Sequence, residues 1–118
     1  MAKFEYNTLT HALLEALPEL KPQYEEAERA CLEPGWVHMV FAVVVNPYLE
    51  SLLAAGGRDD ELRRVFAFLE QMAEHSDPTV QDVLLQTVFG VLEENKEWRK
   101  RARQHMGEAT RHLYQAFR

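Results

Sequence analysis

The helical spacing of apolar residues between Asp59 and Asn95 constrains the fold of this 118-residue chain more than any other feature. In the first half of this segment, apolar side chains recur three or four residues apart, the period that places them on one face of an α-helix. The second half has apolar residues on two nearly opposite faces, which is typical of a helix packed between neighbours. The halves join around Ser76, where Asp77 can cap a helix and Pro78 suits its first turn. The segment therefore predicts two consecutive amphipathic helices.

Similar spacing predicts further helices on both sides of this pair. A helix near the start of the chain is expected to end or kink at Pro18. Pro22 suits the first position of a second helix, on whose apolar face Cys31 is expected to lie as a packed thiol. After the central pair, Asn95 and Gly107 mark the two ends of another helix, and a short final helix follows.

Residues 36–55 are rich in apolar side chains, and Val40–Val45 has the β-branched composition of a strand. No second convincing strand exists to pair with it, and an unpaired strand leaves backbone polar groups without partners. A buried helix is therefore favoured, ending at Gly56 and kinked or split where Pro47 removes a backbone hydrogen bond. We predict a single all-α domain over residues 1–118, with six or seven helices in antiparallel hairpins.

Charge divides the chain into an acidic body and a basic end. Residues 1–95 carry 17 acidic and 6 basic side chains, a formal charge of −11, whereas residues 96–118 carry 2 acidic and 7 basic ones, a formal +5. An acidic surface repels phosphate, so we expect no nucleic-acid partner. The basic segment Lys96–Arg103 is interpreted as a solvated helix face, although it could contact an anion.

The sequence gives no sign of secretion or membrane insertion. The longest apolar run, Met39–Val45, is too short to span a bilayer, and the residues after Met1 lack the apolar core of a signal peptide. A single cysteine excludes an internal disulfide framework. We therefore expect a cytoplasmic protein without a membrane partner, and the oligomeric state is open.

No recognisable catalytic constellation is present. The five glycines lack the Walker and Rossmann spacings, and there is no Gly-x-Ser-x-Gly elbow. His105, Glu108 and His112 have the spacing of metal ligands on one helix, but Gly107 is expected to interrupt that helix. We therefore predict no metal, no other cofactor and no enzymatic activity.

Two features have both a structural and a functional interpretation. Asn46 precedes Pro47 in a mostly apolar helix, where its amide can satisfy carbonyls that the proline frees or can act as a polar anchor inside a groove. Trp36, Phe68 and Trp98 lie at the edges of predicted elements, where they can pack into the core or anchor a protein interface.

Parts of the chain resemble known helical families. Asp77–Leu85 is similar to the opening of the second helix of a HEAT-type repeat, which implies helix pairs stacked like a short α-solenoid and used for docking. Nearly the whole chain resembles a family of small, poorly characterised bacterial helical proteins, and these in turn resemble toxin-immunity proteins. Four motifs carry this second resemblance: Glu19-Leu20-x-Pro22-x-Tyr24, Val44-x-Asn46-Pro47-Tyr48-Leu49, Phe68-Leu69-Glu70-x-Met72 and Ala102-Arg103-x-x-Met106-Gly107-x-x-Thr110. One departure is Glu108, where the family pattern has proline.

The resemblance and the acidic composition together predict a protein-binding module, in particular an immunity protein that neutralises a bacterial toxin by direct binding. Charge complementarity favours a basic toxin domain as the partner. The residues predicted to contact the partner are Glu25, Glu26, Glu28, Glu33, Trp36, Tyr48 and Glu50. A regulatory or adaptor protein with a peptide-binding groove between helices is the main alternative. An enzyme whose site combines His38, Asn46 and Tyr48 with carboxylates is the weaker one.

Overall fold

The computed structural model describes residues 4–33 and 35–118, and within them the chain forms helices and no strand, which confirms the predicted all-α fold. Short 3-10 turns at Tyr6–Thr8 and Pro18–Leu20 precede the first two α-helices. Seven helices are present in this part of the chain: α1 Leu9–Ala16, α2 Lys21–Arg29, α3 Val37–Ala55, α4 Asp59–Ala73, α5 at residues 78–92, α6 Lys96–His105 and α7 Glu108–Phe117.

Residues 40–45 are helical, so the prediction of a helix rather than a strand is confirmed. α3 begins as an α-helix, widens into a π-helical turn at Phe41–Val45 and returns to an α-helix at Asn46. It continues through Pro47 as one helix rather than splitting there. α5 has the same construction, with a π-helical turn at Leu84–Val88, and the two π-helical turns lie against each other.

A side chain of another helix donates a hydrogen bond to the backbone carbonyl that Pro47 leaves without an α-helical partner. Pro47 has no N–H, so the Val43 carbonyl four residues earlier loses its usual α-helical partner. The side-chain amide of Gln23, on α2, donates to this oxygen at 2.8 Å. The expectation that Asn46 would supply this donor is therefore wrong, because a side chain from the neighbouring helix reaches the freed carbonyl instead.

The helix starts expected at Asp77, Asn95 and Pro22 agree with the structure. The Asp77 side chain accepts from the Thr79 amide at the start of α5, and the Asn95 side chain accepts from two amides at the start of α6. Pro22 lies in the first turn of α2. α4 begins at Asp59, and no side chain caps its start.

The apolar faces of all seven helices meet in one core. α5 is buried on both sides, as its two apolar faces predict. Phe68, which lies off the main apolar stripe of α4, is also buried and stacks on Phe4 with ring centroids 5.4 Å apart. Trp98 is half-buried and packs against the same core. The Cα radius of gyration is 13.3 Å, close to the value of about 13.5 Å expected for a compact chain of this length.

α3 is also the helix with the strongest resemblance to a membrane span. Val37–Ala55 contains 19 residues with a mean hydropathy of 1.5, which meets the length and composition criteria for crossing a bilayer. Half of it is buried inside the fold. The core helix of a soluble protein meets the same criteria, so this observation is weak support for a membrane span.

A carboxylate from α4 caps the start of α7. The Glu70 side chain accepts hydrogen bonds from the Ala109 and Thr110 amides at 3.0 and 2.9 Å, and from the Thr110 hydroxyl at 2.6 Å. These amides belong to the first turn of α7, whose N–H groups have no partner inside the helix. Burial raises the pKa of Glu70, but the bonds from Thr110 and Ala109 outweigh it and hold the pKa below its ordinary value of 4.5.

A side chain at position 107 would collide with the carboxylate of Glu70. A Cβ there would lie 2.4 Å from Cδ of Glu70, closer than two non-bonded carbon atoms approach, so the carboxylate would have to move from its place at the start of α7. Gly107 takes the N-cap position of α7 without a side chain, and Glu70 occupies the place a capping side chain would fill. The Phe68–Met72 and Ala102–Thr110 motifs thus meet in a single helix–helix junction.

Cys31 is not the packed thiol that the sequence predicts, because α2 ends at Arg29 and leaves Cys31 exposed. Its φ of 76° lies in the left-handed region. The Leu32 amide donates to the Ala27 carbonyl and the Cys31 amide to the Glu28 carbonyl, both at 3.0 Å. These two bonds form a Schellman motif, in which glycine is the usual residue at the position of Cys31.

Replacing Glu70 by glutamine should lower the free energy of unfolding at pH 7 by about 2 kcal/mol, because a charged acceptor is lost from the α7 cap. Since the folded pKa of Glu70 is lowered, its contribution is full above the unfolded pKa and is lost as the pH falls through the folded one. The difference between wild type and Glu70→Gln should therefore shrink as the pH drops below about 4.5. Urea unfolding from pH 7 to pH 3 measures this. Glu74→Gln, at an exposed site, is the control. If the stability difference between wild type and Glu70→Gln stayed constant from pH 7 to pH 3, the Glu70 carboxylate would not act as the cap of α7.

Cys31→Gly should raise the free energy of unfolding by about 0.5–1 kcal/mol, because glycine adopts the left-handed conformation without the steric cost that a Cβ imposes. Chemical denaturation under reducing conditions measures the change. Cys31→Ala removes the same thiol but keeps the Cβ, so it should give no such gain. Equal stabilisation by both variants would show that the thiol, and not the backbone conformation, is responsible.

Candidate protein-binding face

Three large apolar side chains are exposed at the beginning of α3. Trp36 is 52% exposed, Met39 51% and Val43 37%, and no other large apolar side chain in the described ranges is comparably exposed. Met39 and Val43 are four residues apart and therefore lie on one side of α3, and Trp36 is the N-cap residue directly before the helix. Single exposed apolar residues are ordinary, but a group on one helix face is typical of an interaction surface. We call Trp36, Met39 and Val43 the α3 apolar face.

Four of the carboxylates predicted to contact a partner are exposed and unpaired in the described part of the chain. Glu25, Glu26 and Glu28 on α2 and Glu33 in the following loop are all exposed. None of them takes part in an ion pair with a described residue. The backbone carbonyl of Glu33 accepts from the Trp36 amide at 3.0 Å, which holds the loop against the start of α3. The charges of these carboxylates therefore remain available to a partner.

The four carboxylates do not form one group. Glu26 and Val43 line a groove of about 550 Å³ between α2 and α3, together with Pro22, Gln23, Ala27 and Ala30. Glu25 and Glu28 line a different cleft of about 390 Å³, which also contains Tyr24 and side chains of α1. Glu26 thus lies beside Val43 of the α3 apolar face, and Glu33 is tied to Trp36 through its backbone, whereas Glu25 and Glu28 face α1.

Tyr48 lies apart from the α3 apolar face. It follows Trp36 by twelve residues, or about 18 Å along a helix axis, and it is half-buried. Its hydroxyl donates to a Glu19 oxygen at 2.8 Å, and Arg64 binds the same carboxylate at 2.8 Å. Burial and the hydrogen bond to Glu19 raise the pKa of Tyr48 to about 12, so the phenol stays protonated. This arrangement joins the Glu19–Tyr24 motif to the Val44–Leu49 motif.

Glu50, the last of the predicted contact residues, is half-buried two positions beyond Tyr48. The structure thus joins Glu33 to Trp36 and places Glu26 beside Val43, and it leaves Tyr48 and Glu50 further along α3. Met39 and Val43 had not been predicted as contact residues, because their apolar run was assigned to a buried helix. Their spacing from Trp36 was the signal that could have identified them.

The two π-helical turns are joined by polar contacts at Thr87. The Asn46 side-chain amide donates to the Thr87 carbonyl at 3.1 Å, and Nδ1 of His38 lies 3.0 Å from the Thr87 hydroxyl. Oδ1 of Asn46 is buried and has no hydrogen-bond partner. If the protein were an enzyme, its site was expected to combine His38, Asn46 and Tyr48. His38 and Asn46 both contact Thr87, whereas Tyr48 contacts Glu19 instead.

The possible metal ligands near the end of the chain lie on two helices. His105 is the last residue of α6 and Glu108 the first of α7. The His105 ring stacks on Phe66 and lies 3.7 Å from an Asp59 oxygen. Across the described ranges, no group of three or more His, Cys, Asp or Glu side chains is placed to hold a metal ion.

Comparison with known proteins gives a family but no activity. Residues 10–118 match the family described as "Domain of unknown function (DUF7674)". No curated protein and no solved structure matches the chain.

Asn46→Leu should lower the free energy of unfolding by about 1–3 kcal/mol, because the Thr87 carbonyl loses a side-chain donor in the packed region between α3 and α5. Thermal and chemical unfolding measure the loss. Gln86→Leu is the control: Gln86 is exposed in the π-helical turn that contains Thr87, so its replacement should have little effect on stability. A neutral Asn46→Leu variant would show that the buried amide does not stabilise the contact between the two helices.

Proposed function

The chain belongs to the DUF7674 family, and we propose that it is a protein-binding module that neutralises a bacterial toxin by direct contact, as an immunity protein does. The observation that carries the proposal is the α3 apolar face bordered by the unpaired carboxylates of Glu26 and Glu33. Apolar side chains provide the buried centre of a protein interface, and surrounding charges provide its rim. Trp36 is the anchor, since tryptophan is enriched among the residues that dominate binding energy.

The partner presents a basic surface. Residues 1–95 have a formal charge of −11, and the carboxylates next to the α3 apolar face have no cationic partner of their own in the described part of the chain. Opposite charge accelerates association and disfavours partners of the same sign. A toxin that acts on nucleic acid has such a basic surface, because it must bind phosphate. The proposal places the protein in the cytoplasm, where such a toxin would act.

A second candidate is an adaptor that binds a peptide. The groove of about 550 Å³ between α2 and α3 supports it, because an extended or helical segment can lie in such a groove. The two candidates differ in what suffices for binding. An adaptor binds an isolated short peptide of its partner, whereas an immunity protein requires the folded toxin domain.

Reversing the charges of Glu26 and Glu33 to lysine should slow association with a toxin domain encoded beside this protein by about tenfold at low salt. The cause is the loss of electrostatic steering, so the effect should diminish as salt screens the charges. Surface plasmon resonance at several salt concentrations gives the association rates. Far-UV circular dichroism establishes that the fold is retained.

The matched control reverses Glu25 and Glu28, which changes the net charge equally on the opposite side of α2. This pair should slow association clearly less, because it faces α1 rather than the α3 apolar face. Trp36→Ala should instead accelerate dissociation, since it removes apolar contact rather than charge. Equal effects of the two charge pairs, with unchanged dissociation for Trp36→Ala, would place the interface elsewhere.

A further inference from the structure

We propose that the cleft between α6 and α7 is a binding site for an oxyanion, the phosphate or carboxylate group of a small molecule. The cleft has a volume of about 370 Å³ and is lined by Arg103, Gln104, Met106, Arg111, Tyr114 and Gln115. It shares no residue with the α3 apolar face. The inference is therefore independent of the proposed function.

The two arginines of the cleft are not neutralised by the protein. Neither Arg103 nor Arg111 has a carboxylate within 4.0 Å among the described residues, whereas five other arginines form such pairs. Glu93 is a carboxylate that Arg103 influences: its pKa is lowered mainly by the hydrogen bond with Tyr114 and, to a smaller extent, by Arg118, Arg99 and Arg103. Glu93 is already engaged by Tyr114 and by two other arginines. The cleft therefore has positive charge in excess.

Both arginine side chains are exposed, and each guanidinium group makes one contact within the fold. Arg111 donates one N–H to the Arg103 carbonyl at 3.0 Å, which ties α7 to α6. The Arg103 guanidinium lies over the Tyr114 ring, with Cζ 5.8 Å from the ring centroid. Tyr114 is itself only 1% exposed, and its hydroxyl donates to Glu93. A guanidinium that already makes such a contact loses less freedom when it binds a ligand than one that makes none.

The available donors match an oxyanion. A guanidinium presents parallel N–H groups that bind a carboxylate or a phosphate through two bonds at once. No hydrogen bond of either guanidinium other than that from Arg111 to Arg103 is formed within the described ranges. The amides of Gln104 and Gln115 add neutral donors, and Met106 adds an apolar wall. Residues 96–118 carry a formal +5, which attracts anions to this end of the chain and repels cations.

NMR titration of the full chain with inorganic phosphate, and separately with citrate, tests the site at constant ionic strength. We expect saturable shifts confined to the Gln104 and Gln115 side-chain amides and the Nε–H groups of Arg103 and Arg111. Replacing either arginine by glutamine should weaken the affinity by about tenfold. Lys100→Gln removes the same charge from an exposed position on α6 and should change the affinity by no more than roughly twofold.

The separate titrations with phosphate and citrate show which kind of oxyanion the cleft binds. Saturation by phosphate identifies a phosphate group, and saturation by citrate alone identifies carboxylates. Arg111 also donates to the Arg103 carbonyl, so its loss can disturb the cleft as well as remove a charge. Arg111→Lys and Arg103→Lys therefore serve as further variants. They keep the charge and should still weaken binding, because lysine cannot form the two parallel bonds of a guanidinium. No saturable shift with either anion, or an equal loss in Lys100→Gln, would overturn the proposal.

Discussion

The carboxylate of Glu70 at the start of α7 is the interaction on which the packing of the last third of the molecule depends. It satisfies backbone amides that α7 cannot satisfy itself and thereby fixes that helix against α4. α7 in turn brings Tyr114 and Phe117 into edge-to-face contact with Phe89 of the central helix, at centroid distances of 5.1 and 5.6 Å. The hydrogen bonds of one carboxylate thus hold the helix that carries this aromatic cluster, and the same helix forms one wall of the cleft between α6 and α7.

The second organising feature is the pair of π-helical turns in α3 and α5. Such turns occur frequently at functional sites, because they displace side chains from the positions that a regular helix would give them. Here the turn of α3 begins two residues after Met39 and contains Val43. The polar contacts of Asn46 and His38 with Thr87 lie on the inner side of the same region. Hydrogen bonds between the two central helices therefore lie on the buried side of the segment that carries Met39 and Val43.

The sequence was sufficient to predict the helices but not the contacts between them. Periodicity gave α4 and α5, and side-chain capping gave the starts at Asp77 and Asn95, because these signals act within a few residues. Cys31 was misplaced because the end of α2 is determined by a Schellman motif that requires no glycine here. The exposure of Met39 and Val43 was missed because their apolar run has no polar face to mark its solvent side, so that only their spacing from Trp36 indicated it. The need for Gly107 depends on Glu70, 37 positions away, and no local pattern reports such a contact.

The bond from Gln23 to the Val43 carbonyl has a consequence for how the α3 apolar face meets other molecules. It fastens the first turn of α2 to the middle of α3, at the side of the groove that the two helices form. The width of that groove is therefore set when the protein folds and not when a partner arrives. Recognition by a preformed surface requires little loss of conformational freedom at the moment of contact, so association there would resemble the docking of two rigid bodies.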